Sequence, residues 1–174
     1  MLNRTAADWE RLRELPALLQ ELPLLAEALG FHFYSFSYTS PTHEVYASNL
    51  LSGGQRLVQA ALDFRLGRHL HHANMPVLWT EASFMKRPHL WNIAQVLGLR
   101  HGWIQPLYDG VRQSSLALLR PHVSLSTMEL YPKAAQAMWL GERLHHAAIC
   151  SAAVSGDQAP SSSPTAAANG GRSD

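Results

Sequence analysis

The stretch FHFYSFSYT, residues 31–39, alternates aromatic side chains with small or polar ones. Such a period of two is the pattern of a β-strand, and it places Tyr34, Phe36 and Tyr38 on one face. A turn, Ser40-Pro41-Thr42, and a second short strand at residues 45–50 follow. The stretch therefore predicts two neighbouring strands whose faces differ in chemistry.

Helices are predicted on both sides of this pair, because apolar residues recur at spacings of three and four. The first thirty residues predict a helix, a bend at Pro16 and Pro23, and a second helix that ends at Gly30. A further helix is predicted over residues 55–73, followed by a short extended piece at 76–79.

The second half of the chain predicts a helix over residues 88–97 and then a hairpin. Strands over 102–108 and 111–119 flank Asp109-Gly110, a dipeptide typical of tight hairpin turns. A long helix is predicted over 132–153. The predicted order of elements favours an α/β (α+β) fold with helices packed on an antiparallel sheet. Along the chain this order is helices, a pair of strands, helices, a hairpin and a final helix.

Composition limits the class of protein. Residues 1–153 are expected to form one domain, and the small, polar, Pro/Gly-rich residues 154–174 a disordered tail. The single cysteine, the absence of a signal peptide and the absence of a long apolar run favour a cytoplasmic protein that does not enter a membrane. A net charge of +1 without a basic stripe argues against nucleic-acid binding.

No catalytic, cofactor or metal constellation is recognisable in the sequence. The histidines of His69-Leu70-His71-His72 lack a carboxylate or cysteine at ligand spacing, and Cys150 lacks a neighbouring base. We therefore expect no enzyme activity, no cofactor and no metal.

Four segments, taken in order, resemble the autoinducer-binding domain of LuxR-type quorum-sensing regulators. They are LGFHFYSFSY (29–38), ASNL (47–50), MPVLWTEASF (75–84) and GLRHGWIQPLYDG (98–110). The resemblance implies a five-stranded antiparallel sheet sandwiched between two helical layers. It also implies an acyl-homoserine lactone bound between the sheet and one of those layers.

The resemblance implies a set of ligand-binding residues. Trp79 corresponds to the tryptophan that hydrogen-bonds the lactone, and Asp63 is the candidate for the carboxylate that contacts the amide. The acyl chain is expected among apolar side chains: Phe84, Leu90, Trp91, Leu99, Tyr34 and Phe36. From the residues alone, Trp79 could equally be a core residue whose indole N–H donates to a backbone carbonyl.

Other positions depart from the family pattern. Phe64-Arg65 stand where the family has Asp-Pro, so Asp63 fits only if the register slips by one residue. Leu50, Gly54, Val58 and Leu118 fall near positions that are aromatic or polar in the family. These departures predict a less polar ligand shell.

The sequence thus predicts a quorum-sensing-type regulatory domain that binds an acyl-homoserine lactone or a similar apolar signal. It is expected to form a homodimer or a heterodimer with a full-length LuxR-type regulator, and to lack the family's helix-turn-helix domain. Two alternatives stay open: a receptor for a different, more apolar ligand, and a ligand-free heterodimerising anti-activator.

Overall fold

The computed structural model describes residues 13–65, 74, 76–122 and 126–157. The predicted histidine cluster at 69–72 and residues 158–174 of the predicted tail lie outside these ranges.

Four α-helices and five strands make up the described part of the chain. In chain order they are α1 (Leu15–Ala28), β1 (Phe33–Thr39), β2 (Glu44–Ser48), α2 (Gly54–Arg65), β3 (Val77–Trp79), a 3-10 helix (Glu81–Phe84), α3 (Pro88–Val96), β4 (His101–Asp109), β5 (Arg112–Arg120) and α4 (Thr127–Asp157).

The strands form one sheet in the order β2-β1-β5-β4-β3, and every neighbouring pair is antiparallel. The β4–β5 hairpin turns at Gly110, whose φ of 61° suits a residue without a Cβ. The predicted fold class, an antiparallel five-stranded sheet between helical layers, is confirmed.

Each face of the sheet supports its own apolar core, because side chains alternate along each strand. On one face α1 and α4 pack against Phe36, Tyr38, Leu116 and Leu118. On the other face α2, the 3-10 helix and α3 pack against Ile104, Ala117 and Leu119. We call the first the α4 layer and the second the α2 layer.

The expectation of two helices separated at Pro23 is wrong within the described residues, where α1 is continuous from Leu15 to Ala28. Pro16 lies in the first turn, where its missing N–H costs no hydrogen bond. The buried side chains of Leu18, Leu22 and Leu25 hold the helix against the α4-layer core on both sides of Pro23. Burial of this apolar face outweighs the one hydrogen bond that Pro23 removes.

Helix α4 is also longer than predicted, since it begins at Thr127 and ends at Asp157. Pro132 was taken as its start, yet it lies inside the helix near its beginning. Arg120, at the end of β5, accounts for part of the extension: its guanidinium donates a 2.9 Å hydrogen bond to Glu129 in the first turn of α4. Glu129 also lies next to Lys133, so the first turns of α4 are tied to the sheet and to each other.

No helix among the described ranges is long and apolar enough to cross a membrane.

Candidate functional site

The α2 layer contains the largest group of the ligand-binding residues predicted from the sequence. Trp79, Phe84 and Leu99 are buried in its core, and Leu90 and Trp91 pack against that core. Asp63 lies on α2 and is exposed. The structure therefore brings six of the eight predicted residues to one side of the sheet.

The other two, Tyr34 and Phe36, lie on the opposite side. Phe36 is fully buried in the α4 layer, and Tyr34 packs against the same core. Because the sheet separates the two layers, neither side chain can contact a ligand held in the α2 layer. The expectation that all eight residues line one pocket is corrected accordingly.

Trp79 is held by its own chain. Its indole N–H donates a 2.6 Å hydrogen bond to the backbone carbonyl of Leu99, and its side chain is 1% exposed. Gly98, with a φ of 75°, ends α3 and turns the chain so that Leu99 enters the core. The structure thus shows the arrangement of a satisfied core tryptophan.

Three aromatic rings run from this core toward α3. The rings of Trp79 and Phe84 meet edge to face, with centroids 4.9 Å apart, and Phe84 and Trp91 follow at 5.8 Å. This aromatic row is well suited to contact an apolar chain.

Two cavities share Asp63 in their linings, and the first of them reaches the row at Phe84. The first, about 240 Å³, is lined by Ala60, Asp63, Ser83, Phe84, Lys86, Arg87 and Leu90. The second, about 210 Å³, lies between α2 and the sheet. We call them the apolar-chain cavity and the polar cavity, after the Phe84 and Leu90 side chains in the first and the hydroxyl groups in the second.

The polar cavity was not foreseen, although the sequence held a signal for it. Ser37 and Thr39 are the small and polar members of the β1 alternation, and Gln113 and Ser115 are their neighbours on β5. The hydroxyl groups of Ser37 and Ser115 are 2.9 Å apart and hydrogen-bonded. Sequence reasoning recognised the aromatic face of β1 and passed over its polar face.

Asp63 is the carboxylate that the two cavities share, and Lys86 and Arg87 line the first cavity beside it. One carboxylate oxygen accepts a 2.8 Å hydrogen bond from the side-chain amide of Gln59, one turn earlier on α2. Tyr108 lines the same cavity, and burial together with the negative charge of Asp63 raises the pKa of its phenol. The phenol therefore keeps its proton at neutral pH and can act as a hydrogen-bond donor.

The family-like positions near Gly54 are apolar and tightly packed. A side chain on Gly54 would meet Leu50 at 3.1 Å and Leu99 at 3.3 Å. The cavity at this place measures only about 10 Å³. A polar group of the ligand therefore has no room here unless the core moves.

Leu118, which was expected to replace a polar ligand contact on β5, faces the α4 layer. Its neighbours Ala117 and Leu119 face the α2 layer. The residue of β5 that offers a hydroxyl toward the α2 layer is Ser115.

A wider groove of about 980 Å³ runs along α4 beside the β4–β5 hairpin. Much of its lining is charged or exposed: Arg13, Asp109, Glu142, His146 and Cys150. This is the lining of a surface groove, whereas the α2-layer cavities border the core. Within the described ranges, no three His, Cys, Asp or Glu side chains cluster as metal ligands would.

Several solved structures share this architecture. The N-acylhomoserine lactone dependent LuxR-family factor CepR2 of Burkholderia cenocepacia matches with a TM-score of 0.60 at 22% identity, over 83% of this chain and 91% of that one. SdiA in complex with octanoyl-rac-glycerol matches with a TM-score of 0.54 at 19% identity, over 81% of this chain and 66% of that one. The ligand-binding domain of VqsR from Pseudomonas aeruginosa matches with a TM-score of 0.50 at 15% identity, over 82% of this chain and 99% of that one.

This chain therefore has the fold of the ligand-binding domains of LuxR-family regulators, as the sequence resemblance implied. No protein-family model and no curated protein matches the sequence.

Proposed function

We propose that this chain is a signal-binding regulatory domain of the LuxR type, which takes up a small molecule with an apolar chain in the α2 layer. The observation that carries the proposal is the pair of cavities that share Asp63, beside the aromatic row of Trp79, Phe84 and Trp91. The fold of the matched sensor domains supports it.

The apolar chain of the ligand lies in the apolar-chain cavity, against Phe84 and Leu90. The polar part reaches Asp63, whose carboxylate accepts a hydrogen bond from the ligand, such as that of an amide N–H. An acyl-homoserine lactone has both features, and so do other amphiphiles with a donor next to the chain.

Each cavity taken alone is smaller than the roughly 300 Å³ at the lower end of small-molecule sites. Binding therefore requires the two to join around Asp63. Asp63 lies on the second half of α2, a helix that packs against the 3-10 helix, α3, β3 and β4. Trp79 stays bonded to Leu99 and packs behind Phe84, which lines the first cavity.

Titration calorimetry with N-acyl-homoserine lactones of increasing chain length tests the proposal. Affinity should rise with chain length, and Asp63→Asn should weaken binding by about tenfold or more, because it removes a charged acceptor. Phe84→Leu should weaken the long-chain ligands most. Glu27→Gln, an exposed acid-to-amide change on α1, is the matched control and should leave affinity unchanged.

A domain that melts cooperatively and binds none of a panel of acyl amphiphiles would contradict this function. Binding that survives Asp63→Asn would remove the role of Asp63 and leave only the apolar contacts.

A second candidate function is dimerisation with a LuxR-type regulator. Helix α4 carries large apolar residues that the domain does not bury: Met128 is 87% exposed, Tyr131 72% and Val154 64%. Met128 and Tyr131 lie three residues apart and so share one face of α4, and neighbouring exposed apolar side chains favour contact with another protein surface. Light scattering of the chain alone, and co-purification with a co-expressed LuxR-type regulator, test this role. A strict monomer that captures no such regulator would exclude it.

A further inference from the structure

The apolar-chain cavity has an apolar floor and a charged mouth. The buried side chain of Phe84 and the half-buried side chain of Leu90 form the floor. Three charged side chains line the same cavity and are exposed, so they lie at its opening: Asp63, Lys86 and Arg87. An amphiphile that points its chain toward Phe84 therefore leaves its head group among these charges.

Positive charge is in excess at this mouth. Lys86 and Arg87 each carry a positive charge, and Asp63 carries the one negative charge of the lining. Arg87 and Asp63 line one cavity without forming an ion pair, and among the described residues no other carboxylate lies within ion-pair distance of Arg87. A guanidinium placed in this way can hold the carboxylate of a ligand by two parallel hydrogen bonds.

The start of α3 adds to the positive character of the mouth. Arg87 is the N-cap residue of this helix and Pro88 its first residue. The N-terminal end of a helix carries partial positive charge from its unpaired backbone N–H groups, and the Arg87 side chain makes no capping hydrogen bond to them. The helix therefore favours an anion in the same place as the two cationic side chains do.

We propose that the ligand held at this mouth is an N-acyl amino acid, whose head group is an amide with a carboxylate close to it. This inference rests on the proposed function, since it names the head group of the ligand whose chain lies against Phe84. The amide N–H donates to Asp63, and the carboxylate accepts from the guanidinium of Arg87. Lys86 adds a second positive charge, so each part of the head group meets a partner of opposite character.

Head groups with only one of these features match the mouth less well. The ring of a homoserine lactone is neutral, so the lactone can use Asp63 through its amide but offers Arg87 no anion. A simple fatty acid has a carboxylate but no donor, so its head group meets the negative charge of Asp63 without a hydrogen bond to offset it.

The test compares three probes with the same eight-carbon chain: N-octanoyl-homoserine, its lactone and octanoate. The first two differ only in whether the ring is open, and octanoate supplies a carboxylate without an amide. Calorimetry at pH 7 and low salt should show the open acid binding about fivefold tighter than the lactone, and octanoate weaker than the open acid. The preference should shrink in about 0.5 M salt, because exposed charges are screened.

Arg87→Gln should remove most of this preference, by weakening the open acid about fivefold and leaving the lactone unchanged. Arg87→Lys keeps the charge but not the paired hydrogen bonds, so it should retain part of the preference. Arg100→Gln is the matched control, because Arg100 is an exposed arginine outside both cavity linings, and it should leave both affinities unchanged. A melting curve for each variant separates loss of binding from loss of folding.

The outcomes separate the two proposals. A lactone that binds as tightly as the open acid or tighter would overturn the head-group assignment and leave the signal-binding function standing. Octanoate that binds as tightly as the open acid would overturn it as well, and so would a preference that Arg100→Gln reduces as much as Arg87→Gln does. Failure of every probe to bind would overturn both proposals.

Discussion

The indole nitrogen of Trp79 lies 2.6 Å from the carbonyl oxygen of Leu99, across the junction between β3 and the end of α3. Both residues are buried, so this bond joins the edge of the sheet to the helical layer that covers it. It uses the only donor that the Trp79 side chain has. A ligand that contacts Trp79 in this state meets its ring and not its N–H.

Replacing Trp79 by Phe should therefore reduce stability rather than binding alone. The change leaves the Leu99 carbonyl unpaired in the core and removes part of a buried ring. We expect a loss of about 2–4 kcal/mol in the free energy of unfolding, measured by urea denaturation. Trp139→Phe, at a half-buried ring on α4, is the control and should cost about 1 kcal/mol or less. Undiminished stability with abolished ligand binding would show instead that the Trp79 N–H serves a ligand.

Substitution by alanine should destabilise the domain more at Gly102 than at Gly110. A Cβ on Gly102 would collide with the carbonyl oxygen of Leu118 and lie 2.9 Å from the Cα of Leu119, both parts of the neighbouring strand. Gly102→Ala should cost about 3 kcal/mol or more, because the backbone of β5 cannot give way cheaply. Gly110→Ala meets no atom within 4 Å and bears only the strain of a φ of 61°, about 1–2 kcal/mol. Thermal melting of the two variants measures the difference, and equal losses would contradict the close strand approach at Gly102.

His145 should make the domain sensitive to mild acid. Burial is the main cause that lowers the pKa of its imidazole below 6.5; the charges of Arg112 and His146 act in the same direction and that of Asp109 against it. The unfolded chain then takes up a proton at a higher pH than the folded one. The stability from neutral His145 is complete above about pH 6.5 and is lost as pH falls through the lowered folded pKa.

Melting temperatures recorded from pH 8 to pH 5 check this expectation. His145→Gln should flatten the acid limb of the curve, whereas His146→Gln, at an exposed site on the same helix, should leave its shape unchanged. The Nδ1 atom of His145 lies 2.8 Å from the Ser114 hydroxyl, so Ser114→Ala should also lower the melting temperature at neutral pH. If the melting temperature of the His145→Gln variant fell with pH as steeply as that of the unchanged protein, groups other than His145 would cause the sensitivity to acid.

Tyr108 reports on Asp63. Burial raises the phenol pKa, and the Asp63 carboxylate raises it further. Asp63→Asn should therefore shift the tyrosinate titration, followed by ultraviolet absorbance and assigned with Tyr108→Phe, toward lower pH. Because the raised pKa favours the folded state only while the phenol is neutral, its contribution to stability is lost as pH rises above about 10. Asp109→Asn is the control and should leave the Tyr108 titration unchanged. If Asp63→Asn also left it unchanged, Asp63 would not act on the phenol.

The sheet could be predicted from sequence because its signals are local. The alternation in residues 31–39 and the Asp109-Gly110 turn depend on neighbouring residues only, and the strands and the hairpin lie where these signals predict. The continuous helix through Pro23 could not be predicted in the same way. Its persistence depends on contacts with α4, which come from the other end of the chain.

The placement of the candidate site residues on the two faces of the sheet could be predicted only in part, for a reason that lies in the geometry of strands. A period of two says which residues share a face but not which layer that face meets, and a shift of one residue exchanges the faces. Tyr34 and Phe36 were therefore assigned to the ligand side, and Leu118 was taken for a ligand-side position that falls one residue away, on Ala117 or Leu119. The hydrogen-bond acceptor of the Trp79 N–H could not be predicted from the sequence either, because it depends on how Gly98 turns the chain.

The division of the sheet between two cores also bears on how such a domain can diverge. Successive residues of β5 serve different layers, so replacements at Ser115 or Ala117 alter one compartment while Leu116 and Leu118 keep the other intact. A lineage can thus change the lining of the polar cavity without rebuilding the core against which α4 packs. The two compartments can in this sense diverge separately, although successive residues of one strand serve both.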